Sequence, residues 1–262
     1  MRISIVTPVF NRAEVMHRSI QGSLSGIRAG HFHELVLVDD ASSDDSVAQI
    51  KQSYAKELAR GVVKLVELPV NVGVAGAKNA GARHASGDWL VFMDSDDAFV
   101  PECIADLCRD IAAHPQSGIQ FYRCRNMFSR ALIGPEQPAG IITLEQLLNG
   151  GTPGECLPVL RRTEFLSVLY PAELRGSEAL TYLTLAKAGT QVYLSALVAR
   201  EYDDSGDDRL SNRRGVYKRA PLLIKHNLRL LQFWRFARWR TLSGWLLRIG
   251  YYSVIVLLGR HK

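Results

Sequence analysis

Four short apolar runs in the N-terminal part of the chain each lead into a polar cluster. Ile3-Ser4-Ile5-Val6 leads into Thr7-Pro8, and Leu35-Val36-Leu37-Val38 into Asp39-Asp40. The run 63–66 precedes Asn71-Val72-Gly73, and Trp89-Leu90-Val91-Phe92-Met93 meets Asp94-Ser95-Asp96-Asp97 without a break. Runs this short, β-branched and apolar on both faces, read as buried strands. Between them apolar residues recur at helical spacing: Met16, Ile20, Leu24 and Ile27, then Val47, Ile50, Tyr54 and Leu58, then a small-residue segment over 74–85. Ser43 is the expected N-cap of the second helix and Gly61 its stop. The β-α-β-α-β-α-β alternation predicts an α/β fold with a mostly parallel central sheet and helices on both faces. Such sheets bind ligands outside the carboxyl ends of their strands, so the polar clusters should converge on one cleft.

At 262 residues and 47% apolar content the chain can hold one packed domain and an appendage. With a strand expected so near Met1, no targeting peptide is expected ahead of it. Past Pro101, a helix is expected from Ile104, Leu107, Cys108 and Ile111, then a strand near 119–122 and a Gly/Pro-rich stretch over 134–140. Thr143 and Gln146 form a capping box ahead of Leu147. A helix over 178–188, a strand over 192–199 and a polar loop from Asp203 through Arg209 follow. The spacing of Cys103, Cys108, Cys124 and Cys156 fits neither a zinc site nor a disulfide framework, so they read as reduced structural thiols of a cytosolic protein.

Carboxylates at the end of a doubly buried strand must be hydrated, paired or bound to a cation, because an unpaired buried charge is costly. Asp94 and Asp96 are therefore candidate ligands for Mn²⁺ or Mg²⁺, hard cations that retain waters and are completed by substrate phosphates. Taken alone, the cluster would serve equally well as the N-cap of the helix near Pro101. It is not alone. The segments "SIVTPVFNR", "ELVLVDDASSDDS", "NVGVAGAKNAGARHASGDWLVFMDSDD" and "GSEALTYLTLAKAG" occur in the order that resembles family 2 of the glycosyltransferases, with the GT-A fold, over roughly residues 2–200.

That resemblance implies an inverting, metal-assisted enzyme that moves a sugar from a nucleotide-diphosphate sugar, commonly a UDP-sugar, to a hydroxyl of a glycan or lipid-linked acceptor. It sets Thr7, Pro8 and Phe10, with Asn11, beside the nucleotide, and gives Asp39 the hydrogen bond from the base. Asn71, Gly73, Lys78 and Ser95 join the nucleotide-sugar site, Asp94 meets ribose or metal, and Asp96 is the metal ligand. A solvated helix lysine is the other reading of Lys78. The metal would stabilise charge growing on the departing diphosphate, and the acceptor hydroxyl needs a base on the opposite face. The family usually carries two acids there, the second catalytic. This chain reads Gly176-Ser177-Glu178, leaving Glu178 as candidate base, Glu173 in reserve, and a helix-start residue as the alternative role. A histidine common near the end of the family's domain is absent from 203–212, where Asp207, Asp208 or Arg209 would substitute unless the loop is simply solvated.

The net charge of +6 conceals a division: residues 213–262 hold twelve Lys or Arg and no Asp or Glu, leaving residues 1–212 at −6. The expected organisation is a glycosyltransferase body over 1–212 and a basic helical tail over 213–262. The tail's Phe233, Trp234, Phe236, Trp239, Trp245, Tyr251 and Tyr252 suit a membrane interface. The apolar stretch 242–258 includes Arg248 and falls short of the roughly 20 residues that a span requires. Packing on the body or on a partner is the remaining alternative. No nucleic-acid motif accompanies the charge, so the expected partner is the cytosolic face of the cell membrane, with a cytoplasmic protein peripheral to it. A sugar nucleotidyltransferase or a nicotinamide dehydrogenase would show a Gly-rich loop where Thr7-Pro8-Val9-Phe10 stands. A non-catalytic nucleotide-sugar-binding scaffold is the other alternative, raised by Ser177 in the place of an acid.

Overall fold

A computed structural model of the chain describes residues 1–134, 137–150, 155–203 and 213–259. Asp207, Asp208, Arg209 and the expected boundary between 212 and 213 lie outside the described residues. Strands β1 (Ile3–Val9), β2 (Glu34–Asp39), β3 (Val63–Glu67) and β4 (Trp89–Phe92) form a parallel half-sheet in the order β3-β2-β1-β4. β1, β2 and β4 are buried from end to end, as their uninterrupted apolar runs require. Alternate side chains feed two cores. Val6, Val36, Val38, Leu90 and Phe92 face one, and Ile5, Leu35, Leu37, Trp89 and Val91 the other.

Helices α1 (Met16–Arg28) and α5 (Ile104–Ala113) cover the second core, while α4 (Gly73–His84), α6 (Leu144–Gly150), α7 (Arg162–Ser167) and α8 (Ala179–Lys187) cover the first. α4 lies very close to the sheet: a Cβ on Gly81 would sit 2.4 Å from Val6 Cγ1 and 2.9 Å from Val38 Cγ2. The single helix expected over 47–58 is two, α2 (Ser46–Ser53) and α3 (Ala55–Ala59). The break falls at Tyr54, whose buried side chain sets its hydroxyl 2.8 Å from His17 Nδ1 on α1. Ser43 does not cap α2. Its backbone N–H donates to Asn11 Oδ1 (2.8 Å), and Asp44 Oδ1 accepts from the Ser46 N–H (3.0 Å) at the start of the helix. The capping box forms as expected, with Gln146 N–H donating to Thr143 Oγ1 (3.2 Å) and Thr143 N–H to Gln146 Oε1 (2.9 Å).

The far half of the sheet is mixed. β8 (Cys156–Arg161) runs antiparallel to β4, and β6 (Ile119–Asn126) antiparallel to β8. β9 (Val192–Tyr202) pairs parallel with β6, and antiparallel with the short strands β5 (Ala98–Phe99) and β7 (Gly140–Ile142). β9 extends beyond the expected 192–199, carrying Arg200 to Tyr202 toward the ends of the central strands. All four cysteines are free, and burial pushes Cys103 and Cys156 up to about 12.

The tail forms α9 (Arg213–Leu230), a 3₁₀ segment (Leu231–Phe236) and α10 (Trp239–Gly259), with the two helices packed on each other. Leu230, Phe233 and Trp245 enter the first core, so the tail is in part a packed element of the body. Among the described residues no helix is long and apolar enough to cross a membrane.

One buried carboxylate ties the start of the parallel half together. Glu34 Oε1 accepts from Ser4 Oγ (2.7 Å), Ser86 N–H (2.6 Å) and Ser86 Oγ (2.9 Å), while Oε2 meets Lys64 Nζ at 2.7 Å. Burial opposes the charge, but Lys64, Ser4 and Ser86 outweigh it and hold Glu34 at about 2, against an ordinary 4.5. A depressed carboxylate stabilises the fold above its unfolded pKa and loses that contribution as pH falls toward the folded value. Glu34 should therefore supply about 3 kcal/mol at neutral pH that disappears between about pH 4.5 and 2. Denaturant unfolding of wild type and Glu34→Gln across pH 2 to 7 should show their difference shrinking over that window. A pH-independent difference would assign the loss to packing instead.

Candidate functional site

The sheet order reverses between β1 and β4, and a cleft of about 670 Å³ opens at the carboxyl ends of these strands. Of the residues expected at the site, Pro8, Phe10, Asn71, Gly73, Lys78, Asp94, Ser95, Asp96 and Glu178 line it. Thr7, Asn11 and Asp39 are not in the lining. Thr7 and Asp39 are buried near the ends of β1 and β2, and among the described residues Thr7 Oγ1 and Asp39 Oδ1 each lack a hydrogen-bond partner. The other Asp39 oxygen accepts from Ser42 N–H (3.1 Å). Asn11 takes a left-handed backbone (φ 52°), and its N–H donates to Ser42 Oγ (3.0 Å) while its side chain accepts from Ser43. It thus ties the loops after β1 and β2 to each other.

Asp40, outside the expected site, is in the lining. Its carboxylate accepts from Val72 N–H (2.7 Å) and Gly73 N–H (2.8 Å), and its carbonyl from Asn71 Nδ2 (3.1 Å). These bonds fix the turn that opens α4, where Gly73 adopts φ +81°, a conformation costly for a side-chain-bearing residue. Burial pushes Asp40 above its ordinary value against the pull of those two amides.

The floor of the cleft is ionic. Lys78 is buried, not a solvated helix lysine, and its Nζ lies 2.7 Å from Asp94 Oδ1. Burial works against that ammonium, but Asp94 and Glu178 outweigh it and hold Lys78 above its ordinary value. Arg200, 2% exposed at the end of β9, reaches Asp97 Oδ2 at 3.3 Å, Glu155 Oε2 at 3.4 Å and Asp94 Oδ2 at 3.6 Å. Its Nε donates to Cys124 Sγ (3.0 Å) across a sheet pairing whose register shifts between Phe121 and Cys124. Nothing in the sequence marks Arg200, which belongs to no motif and becomes a site residue only through the β6–β9 pairing. Despite burial, Lys78 and Arg200 hold Asp94 below the usual carboxylate range. Asp97, more deeply buried, is pushed up to about 7, with Arg200 opposing and Asp94 reinforcing the rise.

Asp96 differs from both. Its carboxylate is 40% exposed in the cleft, and among the described residues its cationic contact is Arg12 Nη2 at 3.9 Å. Burial and the neighbouring Asp94 push its pKa up. Arg18 donates to the Asp96 carbonyl and to Asp203 Oδ2 (2.9 Å), and Asp203 N–H donates to Asp97 Oδ1 (3.0 Å). The turn 94–97 is thereby held from two sides. Among the described residues no three His, Cys, Asp or Glu side chains enclose an ion. What the turn offers is an accessible, under-compensated carboxylate beside a second one, a donor set suited to a hard dication that draws its other ligands from phosphate and water.

Glu178 stands at the N-cap of α8 and lines the same cleft, but its side chain makes no capping hydrogen bond. Arg175, Glu155 and Tyr182 complete this wall.

A sequence model described as glycosyl transferase family 2 matches residues 4–148. An uncharacterised glycosyltransferase of Haemophilus influenzae is 30% identical over 171 residues, covering 63% of this chain and 55% of the relative. Among solved structures, TarS residues 1–349 of S. aureus in complex with UDP-GlcNAc superposes with a TM-score of 0.71 at 20% identity, covering 95% of this chain and 72% of that fragment. The mannosyltransferase PcManGT of Pyrobaculum calidifontis, in complex with GDP-Man and Mn²⁺, gives 0.63 at 16% identity, covering 100% and 75%. These likenesses show a shared GT-A fold, and the chain spans about half the length of the H. influenzae relative.

Proposed function

Because the chain belongs to glycosyl transferase family 2, we propose that it moves a hexosyl or N-acetylhexosaminyl group, with inversion, from a nucleotide-diphosphate sugar to a hydroxyl of a glycan or lipid-linked acceptor. UDP is the favoured carrier. The observation that carries this reading is the convergence in one cleft of the Lys78–Asp94–Asp96 cluster and, on a separate element, the uncapped carboxylate of Glu178. The unpartnered Asp39 Oδ1 and Thr7 Oγ1 beneath the cleft supply hydrogen-bonding capacity for the base of the nucleotide, with Pro8 and Phe10 beside it. Ser95, Asn71 and Gly73 border the ribose and diphosphate. Lys78 sets a fixed positive charge behind Asp94, which would favour the anionic diphosphate at this end of the cleft.

Asp96, with Asp94 beside it, would hold Mn²⁺ or Mg²⁺, which when bound supplies Lewis-acid stabilisation of the leaving diphosphate. Glu178 accepts the proton of the acceptor hydroxyl from the opposite side of the sugar, as single displacement with inversion requires. A non-catalytic scaffold would keep the donor pocket and lack this proton acceptor. The protein works at the cytosolic face of the cell membrane. There the tail's exposed apolar residues, among them Trp239 (75% exposed), Leu247 (74%) and Tyr251 (58%), with Arg240 and Arg248 alongside, meet anionic lipid.

Calorimetric titration with UDP should show binding that needs Mn²⁺ or Mg²⁺ and is abolished by Asp96→Ala at unchanged melting temperature; full affinity in excess chelator would refute the metal site. Glu178→Gln keeps shape and hydrogen bonding without basicity. It should retain donor affinity while transfer falls by roughly 10²- to 10⁴-fold, and a wild-type rate would dismiss Glu178 as the base. Because Phe233 and Trp245 belong to the core, the membrane contact is best tested by point substitution rather than by removal of the tail. Trp239→Ser/Leu247→Ser/Tyr251→Ser should release the protein from phosphatidylglycerol vesicles by roughly tenfold or more, and wild-type binding should weaken with salt. Equal retention of both proteins would remove the membrane from the reading.

A further inference from the structure

The loop that delivers Glu178 is held from the tail. His226 on α9 sets Nδ1 2.9 Å from Oγ of Ser177, the buried residue immediately before Glu178. Ser177 also opens the helix: its carbonyl accepts from Leu180 N–H (3.0 Å), and the Glu178 carbonyl from Thr181 N–H (3.0 Å). One turn further along α9, Arg229 pairs with Glu173 at the other end of the same loop. That pair is exposed on both sides and worth little alone. The His226–Ser177 contact is shielded, and a polar group left unpaired there costs more than the exposed pair contributes. Burial and the nearby Arg248 push His226 down, so a neutral imidazole with one donor and one acceptor nitrogen faces the hydroxyl.

The hairpin does not depend on this contact for its own attachment. Asn149 Nδ2 donates to the Phe236 carbonyl (3.0 Å), Arg238 N–H donates to Asn149 Oδ1 (2.7 Å), and Phe233 is fully buried in the first core. A side chain on a docked helix that meets the residue beside a cleft carboxylate, while others do the anchoring, controls orientation. We propose that His226 is a positioning residue for the transfer reaction, acting through Ser177 to hold Glu178 toward the acceptor side of the cleft. The resemblance sets an acid at position 177; here a serine takes a partner from the tail instead.

This inference rests on Glu178 being the base, and the test separates the two. The full chain is assayed with whichever of UDP-GlcNAc, UDP-GalNAc, UDP-glucose and UDP-galactose gives the largest thermal shift with Mn²⁺, following UDP release, while UDP affinity is measured separately by calorimetry. His226→Ala should lower kcat by roughly 5- to 30-fold, the range expected for a small misplacement of a reacting group, with donor KM and UDP affinity unchanged. His226→Asn, whose amide nitrogen takes the place of Nδ1, should restore most of the rate. In a Glu178→Gln background His226→Ala should cost nothing further, since a positioning residue has no effect without the group it positions. Unchanged kcat in His226→Ala with Glu178→Gln inactive overturns this inference alone. A wild-type rate for Glu178→Gln overturns the base assignment and this inference with it. A loss of UDP affinity or folding in step with kcat, or independent losses in the double variant, makes His226 a packing residue.

Discussion

Two buried cations, Lys78 and Arg200, decide what the carboxyl edge of the sheet can carry. Either charge would be prohibitive without a partner, and so would Asp94 and Asp97. Together they satisfy one another, and they come from different halves of the fold. Lys78 arrives on α4 from the parallel half, and Arg200 on β9 from the mixed half. Asp94 meets both, so the strand end between the halves is fixed electrostatically as well as by packing. The consequence is a contrast between carboxylates two positions apart: Asp94 is held below its ordinary value, while Asp96, turned to the cleft, is pushed above it. One carboxylate serves the protein's own cations, and the other stands in the cleft with far less compensation.

The position of Lys78 depends in turn on how near its helix lies to the sheet. Gly81 allows α4 to approach Val6 and Val38 more closely than any side chain would permit. Asp40 fixes the start of the same helix through the amides of Val72 and Gly73. A side chain as long as lysine can thus be buried along its stem, with only its head reaching the cleft. The small residues of this segment are the condition for a buried cation at the floor of the cleft.

The parallel half was legible because its information is local. Each strand is a short apolar run, each helix has its own periodicity, and each polar cluster follows its strand directly, so nine of the twelve expected site residues line the cleft. The departures arise where a tertiary contact overrides a local pattern. Tyr54 leaves helical geometry to bury its side chain beside His17, and Ser43 is drawn from capping to Asn11. Asp39 and Asp40 are indistinguishable as neighbours in sequence, yet Asp40 faces the cleft and Asp39 lies beneath it because successive residues of an extended chain point to opposite sides. Arg200 was not legible at all. Its place is set by a β9–β6 register that joins segments more than seventy residues apart and shifts at Arg123.

The tail shows why charge pattern alone could not decide between membrane and body. Its Arg and Trp content fits an interface, and its outer residues remain exposed, but Leu230, Phe233 and Trp245 fill a core that α4 and α8 also line. Both descriptions hold because a helical hairpin has two sides, and composition averages over them. The inner side reaches His226 to the loop ahead of Glu178. The outer side carries Trp239, Leu247 and Tyr251. A surface that bound the outer side would therefore act on a body already joined, through the inner side, to the wall of the cleft that carries Glu178, so the appendage is mechanically continuous with the site.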